Sequence, residues 1–454
     1  MEPRQKLVNS VDCCVDEALE GIVSSSGCLS LLRGHRVVVR ADLEALRGRV
    51  ALLSGGGSGH EPAHAGYIGS GMLSAAVAGG VFASPPPASV LAAILSLHDA
   101  GALGVLLIVK NYTGDRLNFG LAAEQARNRG VAVEMVIVAD DCAFDQPSKA
   151  GRRGLCGTVF VHKLAGALAE EGCPLDEIVS KVTEAVKGIG TLGVSLSPCS
   201  VPGCLPSFDL PAGEMELGLG IHGEPGIKRS KVTSADQVVK TMVDHMTNPA
   251  SQSHLSLKSG DSVVLCVNNL GALSCLEIAV VTSSAIHYLE GRGVRVARAM
   301  SGSFMTSLEM AGVSLCQDHS PCLAQPQHCV YQWEELHSGP SSERHARDLA
   351  HRSGVMRKAL EAVCSALLQR QEELNSLDRA SGDGDCAIQE WLQSHLVPGC
   401  PGQLLSTLAG LVQERMGGSS GALDALCPAV EELRRLTTSP PGGHMAILQA
   451  AVEN

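Results

Sequence analysis

The sequence predicts two α/β units followed by an all-helical region. Three observations carry that reading. Short apolar, β-branched runs alternate with helix-length stretches over residues 1–195 and again over 196–315, and such alternation marks a sheet, largely parallel in the first unit, covered by helices. Beyond residue 344 the strand signals stop and helical periodicity continues. Apolar residues make up 45 % of the 454, but aromatics only 3 %, so the cores are built from Ala, Val, Leu and Ile.

In the first unit the strands are predicted at 36–40, 50–54, 105–109 and 131–138, with helices at 88–98, 116–128 and 162–171. Residues 195–211 (SLSPCSVPGCLPSFDLP) are rich in Ser, Pro and Cys and read as a boundary. The second unit carries a helix at 234–247, a strand at 262–268, a helix at 272–289 and a strand at 294–299. After Leu315 the apolar pattern breaks into CQDHSPCLAQPQHC, so a frayed edge is expected there, and 316–343 reads as a linker. The last region, 344–454, alternates helical stretches (344–377 and 404–415) with two polar loops at 377–386 and 416–423.

The formal charge of −12 and the lack of a basic block argue against nucleic acid as the main partner. No uninterrupted apolar run reaches the length of a membrane span. The seventeen cysteines form no CxxC pair and no zinc-ligand pattern, so they are expected to be reduced. With the polar N-terminus MEPRQKLVNS, this points to a cytosolic protein.

Chemistry is expected first in 54–66, SGGGSGHEPAHAG, which follows the apolar run of residues 50–53. Glycines there let backbone lie close to a ligand, and His60, Glu61 and His64 follow at the strand's carboxyl end, where open α/β sheets bind ligands. The loop lacks the Lys-Ser/Thr of a Walker A motif. A Gly-rich turn alone suits mere packing. A second apolar run, 104–109, however, leads directly into Lys110, Asn111, Thr113 and Asp115, and charged groups are rarely buried unless they are paired or used. His222 stands among glycines in GLGIHGEPG (218–226), which leaves an imidazole open as base, ligand or nucleophile. With His60 and Asp115 it would make a carbonyl-type site. Asp378, Asp383 and Asp385 fall in one Gly-containing loop, a set suited to Mg²⁺ and nucleotide phosphates. Gly417, Gly418, Ser419, Ser420 and Gly421 open a helix in a way that suits phosphate.

Through SGGGSGHEPAHAG, KNYTGDRLNFG, GLGIHGEPG, LDRASGDGDC and MGGSSGAL, the sequence resembles the dihydroxyacetone kinase family, most closely its animal members that also cleave FAD. The resemblance implies an ATP-dependent kinase of dihydroxyacetone and glyceraldehyde. His222 would form a covalent hemiaminal with the substrate carbonyl. Gly57, Ser58, Gly59, His60, Lys110 and Asp115 would line the substrate, with Asp115 as base and His60 and Lys110 assisting. The helical region would be a barrel of antiparallel helices. There Asp378, Asp383 and Asp385 hold Mg²⁺, while Asp383, Gly384, Asp385, Cys386, Ser419 and Ser420 meet the nucleotide. The same site would split FAD into AMP and riboflavin cyclic 4′,5′-phosphate, with Mn²⁺ or Co²⁺ preferred. A homodimer built on the substrate region is also implied.

Two departures bear on that expectation. The family continues past the DGD-Cys loop with a Gly-Thr-Thr-type segment, whereas here Ala387, Ile388, Gln389, Glu390 and Trp391 follow Cys386 at once. After Leu423 the match ends, so the barrel is expected to be incomplete. The alternative is therefore a catalytically impaired form that only binds the carbonyl substrate.

Overall fold

The computed structural model describes residues 5–147, 149–206 and 208–319. The chain forms two compact units, Met1–His337 and Ser338–Asn454, and all that follows concerns the first. The predicted linker beyond residue 319, the helical barrel, and Asp378, Asp383, Gly384, Asp385, Cys386, Ser419 and Ser420 lie outside the described residues.

The first sheet is preceded by α1 (Cys14–Ser24) and combines β1 (Leu29–Leu32), β2 (Val37–Arg40), β3 (Val50–Ser58), β4 (Ala75–Val81), β5 (Gly104–Lys110) and β6 (Val133–Val138). Helices α2 (Pro87–Asp99) and α3 (Thr113–Arg127) make the crossovers from β4 to β5 and from β5 to β6. The strand order is β1-β2-β4-β3-β5-β6. The pairings of β3 with β4, β3 with β5 and β5 with β6 are parallel, and the β1–β2–β4 edge is antiparallel. The largely parallel character expected of this unit is thus present.

Two helices follow, α4 (Thr158–Glu170) and α5 (Leu175–Val186). The second sheet uses β7 (Ile189–Ser195), β8 (Glu214–Leu217), β9 (Lys228–Lys231), β10 (Ser262–Asn269), β11 (Arg295–Gly302) and β12 (Gly312–Asp318), with α6 (Ala235–Met246) and α7 (Cys275–Gly291) between strands. Its order is β11-β10-β12-β7-β8-β9, and only β10–β11 is parallel.

Side-chain alternation fixes the layers. Along β5, Val105, Leu107 and Val109 join α2 and α3 in one core, with Ile94, Leu97 and Phe119. Leu106 and Ile108 point the other way, onto Val159, Phe160 and Ile178 of α4 and α5, as a two-residue period requires. That second core also takes Ile189, Val264, Cys266 and Cys316 of the second sheet. Helices α4 and α5 are therefore sandwiched between the sheets, which is why α4 reads apolar nearly all round. On the far side α6 and α7 cover the second sheet through Val239, Met242, Ile278 and Ala285. The result is five layers: helices, sheet, helices, sheet, helices.

Three expectations need correction. Residues 55–58 were expected to begin a loop, yet β3 runs through Ser58. A Cβ on Gly55 would lie 2.2 Å from the Val77 carbonyl oxygen, so glycine is what lets the strand continue against β4. The strand ending the second unit does not fray at Leu315. β12 continues to Asp318, buried throughout, between β10 and β7. The expected boundary at 195/196 falls at the end of β7, and the second sheet already begins at Ile189. Among the described residues, the eleven cysteines are free, and no helix is long and apolar enough to cross a membrane.

Candidate active site

The carboxyl ends of β3 and β5 deliver the first half of the site. His60 follows β3, and Lys110 closes β5 just ahead of Tyr112, Thr113 and Asp115 at the start of α3. His60, Lys110 and Asp115 are buried. Gly56 has φ 151°, and a Cβ there would sit 3.1 Å from Lys110 Nζ and 3.4 Å from Asp115 Oδ2. That glycine leaves room for a lysine and a carboxylate to face the strand. Asp115 Oδ1 accepts from Ser84 Oγ at 2.5 Å.

The second half comes from the other sheet. His222 lies in the loop joining β8 to β9, and its ring centroid is 4.9 Å from that of His60 at 73°. Tyr112 and Phe82 close on the same imidazole at 4.6 Å and 5.2 Å, both edge-on. Phe82 also stacks on His60, 5.2 Å away. The loop between β11 and β12 ties the halves together: Thr306 N donates to His60 O at 3.2 Å and Leu308 N to Gly59 O at 2.8 Å. His60, Lys110, Asp115 and His222, far apart in sequence, meet here. Gly57, Ser58 and Gly59 carry the chain past them, and a Cβ on Gly57 would fall 2.7 Å from Ala83 N.

Hydrogen bonds fix the tautomers. His222 Nδ1 lies 2.9 Å from Glu224 Oε1, while the His222 backbone N–H donates to Oε2 at 2.9 Å. Burial raises the Glu224 carboxyl, but the bond and charge of His222 and the backbone N–H groups outweigh it and hold it at about 2. The carboxylate can only accept, so Nδ1 carries a proton, and in the neutral ring Nε2 is the atom left with a lone pair. His60 Nδ1 sits 2.8 Å from the Thr306 carbonyl, so it too donates there, and its Nε2 is an acceptor with no partner among the described residues. Burial and the charges of Lys110 and His222 push His60 well below the ordinary imidazole range, so it is neutral. Lys110 Nζ likewise has no hydrogen-bond partner among the described residues. Burial lowers its pKa, while Asp115, Glu224, Asp140 and Glu61 act to raise it. The His222 side chain keeps 19 % exposure. The arrangement brings two imidazoles, an amine and a carboxylate into one region, groups of the kind that can add to a carbonyl and activate a hydroxyl.

Comparison with known proteins identifies the family. The Dak1 domain model matches residues 20–319. Human triokinase/FMN cyclase is 52 % identical over 96 % of this chain and 81 % of its own length. The chain belongs to the dihydroxyacetone kinase family. The dihydroxyacetone-binding subunit of a Listeria innocua PTS-dependent dihydroxyacetone kinase is 46 % identical over 68 % of this chain and 93 % of its own. The dihydroxyacetone kinase of C. freundii, solved with AMP-PNP and Mg²⁺, superposes with a TM-score of 0.62 at 32 % identity, covering 99 % of this chain and 86 % of that one.

In this family member several site residues escape sequence reasoning. Glu224 stands two residues after His222 inside the quoted motif, so its signal was available. Phe82, Ser84 and Thr306 carry no such signal, because nothing in the chain near them marks their distant partners. Among the described residues no group of three or more His, Cys, Asp or Glu side chains is arranged to hold a metal ion.

Proposed function

We propose that this chain phosphorylates short carbonyl sugars, dihydroxyacetone and glyceraldehyde, with ATP as donor, and that it holds them as a hemiaminal on His222. The observation that carries this is the His222–Glu224 pair, because a carboxylate fixes Nδ1–H and leaves Nε2 as the free nucleophile. In the proposed step Nε2 bonds to the carbonyl carbon and the C=O π pair moves to oxygen. The Lys110 ammonium protonates or stabilises that oxygen, and the imidazolium so formed shares its Nδ1–H with Glu224. His60 Nε2 accepts from a substrate hydroxyl. Asp115 takes the proton of the hydroxyl that attacks phosphorus, with its Oδ1 steadied by Ser84. Fixing the sugar covalently spends binding energy on orientation, and glycerol, which lacks a carbonyl, is excluded.

The names of the relatives, triokinase/FMN cyclase and dihydroxyacetone kinase, support the kinase reading. FMN cyclase activity is the second one proposed, carried over from the name triokinase/FMN cyclase alone. A second reading is carbonyl binding without phosphoryl transfer. It is favoured by one feature, the segment Ala387-Ile388-Gln389-Glu390-Trp391 that follows Cys386 at once, where the resemblance implies a Gly-Thr-Thr-type segment.

The test is ATP-dependent formation of dihydroxyacetone phosphate by the purified chain with Mg²⁺, beside a His222→Ala control. Product that vanishes in the control supports the kinase. A covalent triose adduct seen by mass spectrometry, without phosphorylated product, supports the binding reading. Absence of both overturns each.

A further inference from the structure

Behind the substrate loop lies a second cluster of imidazoles that the proposed reaction does not use. His64 follows β3 and His162 lies in the sandwiched helix α4. Their ring centroids are 5.2 Å apart at 72°, and the Tyr67 ring is 5.9 Å from His162. His162 has no exposure and His64 only 6 %. His64 Nε2, both ring nitrogens of His162 and Lys110 Nζ are buried with no hydrogen-bond partner among the described residues. Leaving such an atom bare costs about 1–3 kcal/mol, so four in one neighbourhood require an account.

Their donor and acceptor characters match. Ser54 Oγ donates its only proton to the Ile108 carbonyl at 2.7 Å, so at its 3.3 Å contact with His64 Nδ1 the serine accepts. His64 is therefore the Nδ1–H tautomer, and Nε2 is a lone pair that needs a donor. A neutral His162 offers one donor and one acceptor whichever tautomer it adopts. The Lys110 ammonium offers three donors. The set lacks only an element that both accepts and donates between groups that make no direct hydrogen bond to one another, which is what a buried water with two to four polar partners supplies.

We propose that water binds among the unpartnered nitrogens of His64, His162 and Lys110, and that it carries hydrogen bonds from the ammonium to the two imidazoles, supporting the charge that faces the substrate loop. This makes His64 and His162 positioning residues for Lys110, and it rests on the reading of Lys110 as a charged group at the substrate. The groups facing Lys110 are Asp115 on α3, Glu61, His60 and His64 after β3, Asp140 after β6, Glu224 after β8, and His162 on α4. Among the described residues no carboxylate makes an ion pair with Lys110, so the neutral lone pairs contribute to keeping its proton.

A high-resolution crystal structure of the full chain tests the site without any assay. Ordered water within hydrogen-bonding distance of His64 Nε2 and of a His162 nitrogen is expected, and a dry contact of these rings with carbon alone overturns the proposal. The link to Lys110 is tested by His162→Phe, which keeps the ring and removes both nitrogens. The alkaline limb of kcat/KM for dihydroxyacetone should move to lower pH by about one unit, and less in His162→Gln, which retains a donor and an acceptor. An unmoved limb in a folded His162→Phe overturns the link. If the chain transfers no phosphate, the ¹³Cε NMR titration of Lys110 in the free protein reads the same shift, so failure of the kinase reading and failure of this one are told apart. If His162→Phe does not fold, the crystal structure and His162→Gln decide.

Discussion

Two pairs of histidines sit in nearly the same mutual geometry and are placed for different work. His60 and His222 are 4.9 Å apart at 73°, and His64 and His162 are 5.2 Å apart at 72°. The front pair has each Nδ1 tied to an acceptor, a carboxylate for His222 and a backbone carbonyl for His60, and His222 keeps access to the outside. The back pair is buried, and among the described residues only His64 has a hydrogen-bond partner, the weakly placed Ser54. Proximity of rings is therefore not what makes a site. What sets the front pair apart is a fixed tautomer on a ring that also reaches the outside, and Glu224 with the exposure of His222 supplies that in the front pair alone.

The sharpest way to break this contrast is His222→Ala. It should abolish the covalent triose adduct, read as the loss of the added mass on the intact protein, while far-UV and near-UV circular dichroism stay as in the parent. An adduct that persists would move the nucleophile elsewhere. Next in size is Glu224→Gln. An amide can present its N–H₂ to Nδ1, which then favours the other tautomer and puts the proton on Nε2. A loss in kcat of roughly 10² to 10⁴ is expected, in the range found when the orienting carboxylate of a catalytic histidine becomes an amide. KM should change far less.

The front site was largely legible in the sequence, and the back one was not. Glycines and charged residues placed directly after apolar runs announce a strand that ends at chemistry, and 54–60 and 110–115 both carry that pattern. The strand β12 hid itself because Gln317 and Asp318 read as surface, yet both have no exposure, held between two neighbours. β4 hid because Ala75, Ala76, Ala78, Gly79 and Gly80 carry almost no strand propensity, and at Gly79 a Cβ would fall 1.9 Å from the Ala83 carbonyl oxygen, so only glycine fits there. His162 was visible only as the start of a helix. What a buried imidazole faces is decided by two sheets folding onto α4, and no local pattern in the chain encodes that.

Acid stability sharpens the comparison further. Burial, with the nearby charge of Lys110, lowers His162 to about 3, against an unfolded value of about 6.5. Between those values the unfolded chain binds a proton that the native one refuses. The stabilisation tied to the neutral ring is therefore complete above pH ~6.5 and is lost as pH falls towards 3, at up to ~1.4 kcal/mol per pH unit. Urea midpoints measured across this range should fall less steeply for His162→Phe than for the parent. Equal slopes would mean that His162 is protonated in the native state.

The smallest expected effect belongs to Ser54→Ala. The hydroxyl makes two contacts, a 2.7 Å bond to the Ile108 carbonyl and a 3.3 Å contact with His64 Nδ1. Only the first is short, and the carbonyl also belongs to a strand, so the loss in stability should be about 1 kcal/mol. The diagnostic change is chemical rather than energetic. In the parent, ¹⁵N shifts of His64 should report a single tautomer, with the proton on Nδ1. With Ser54 gone, nothing on that side distinguishes the two nitrogens, and the shifts should move towards a mixture. If His64 keeps its single tautomer in Ser54→Ala, then the group acting on Nε2 sets it, and the back pair is as firmly held as the front.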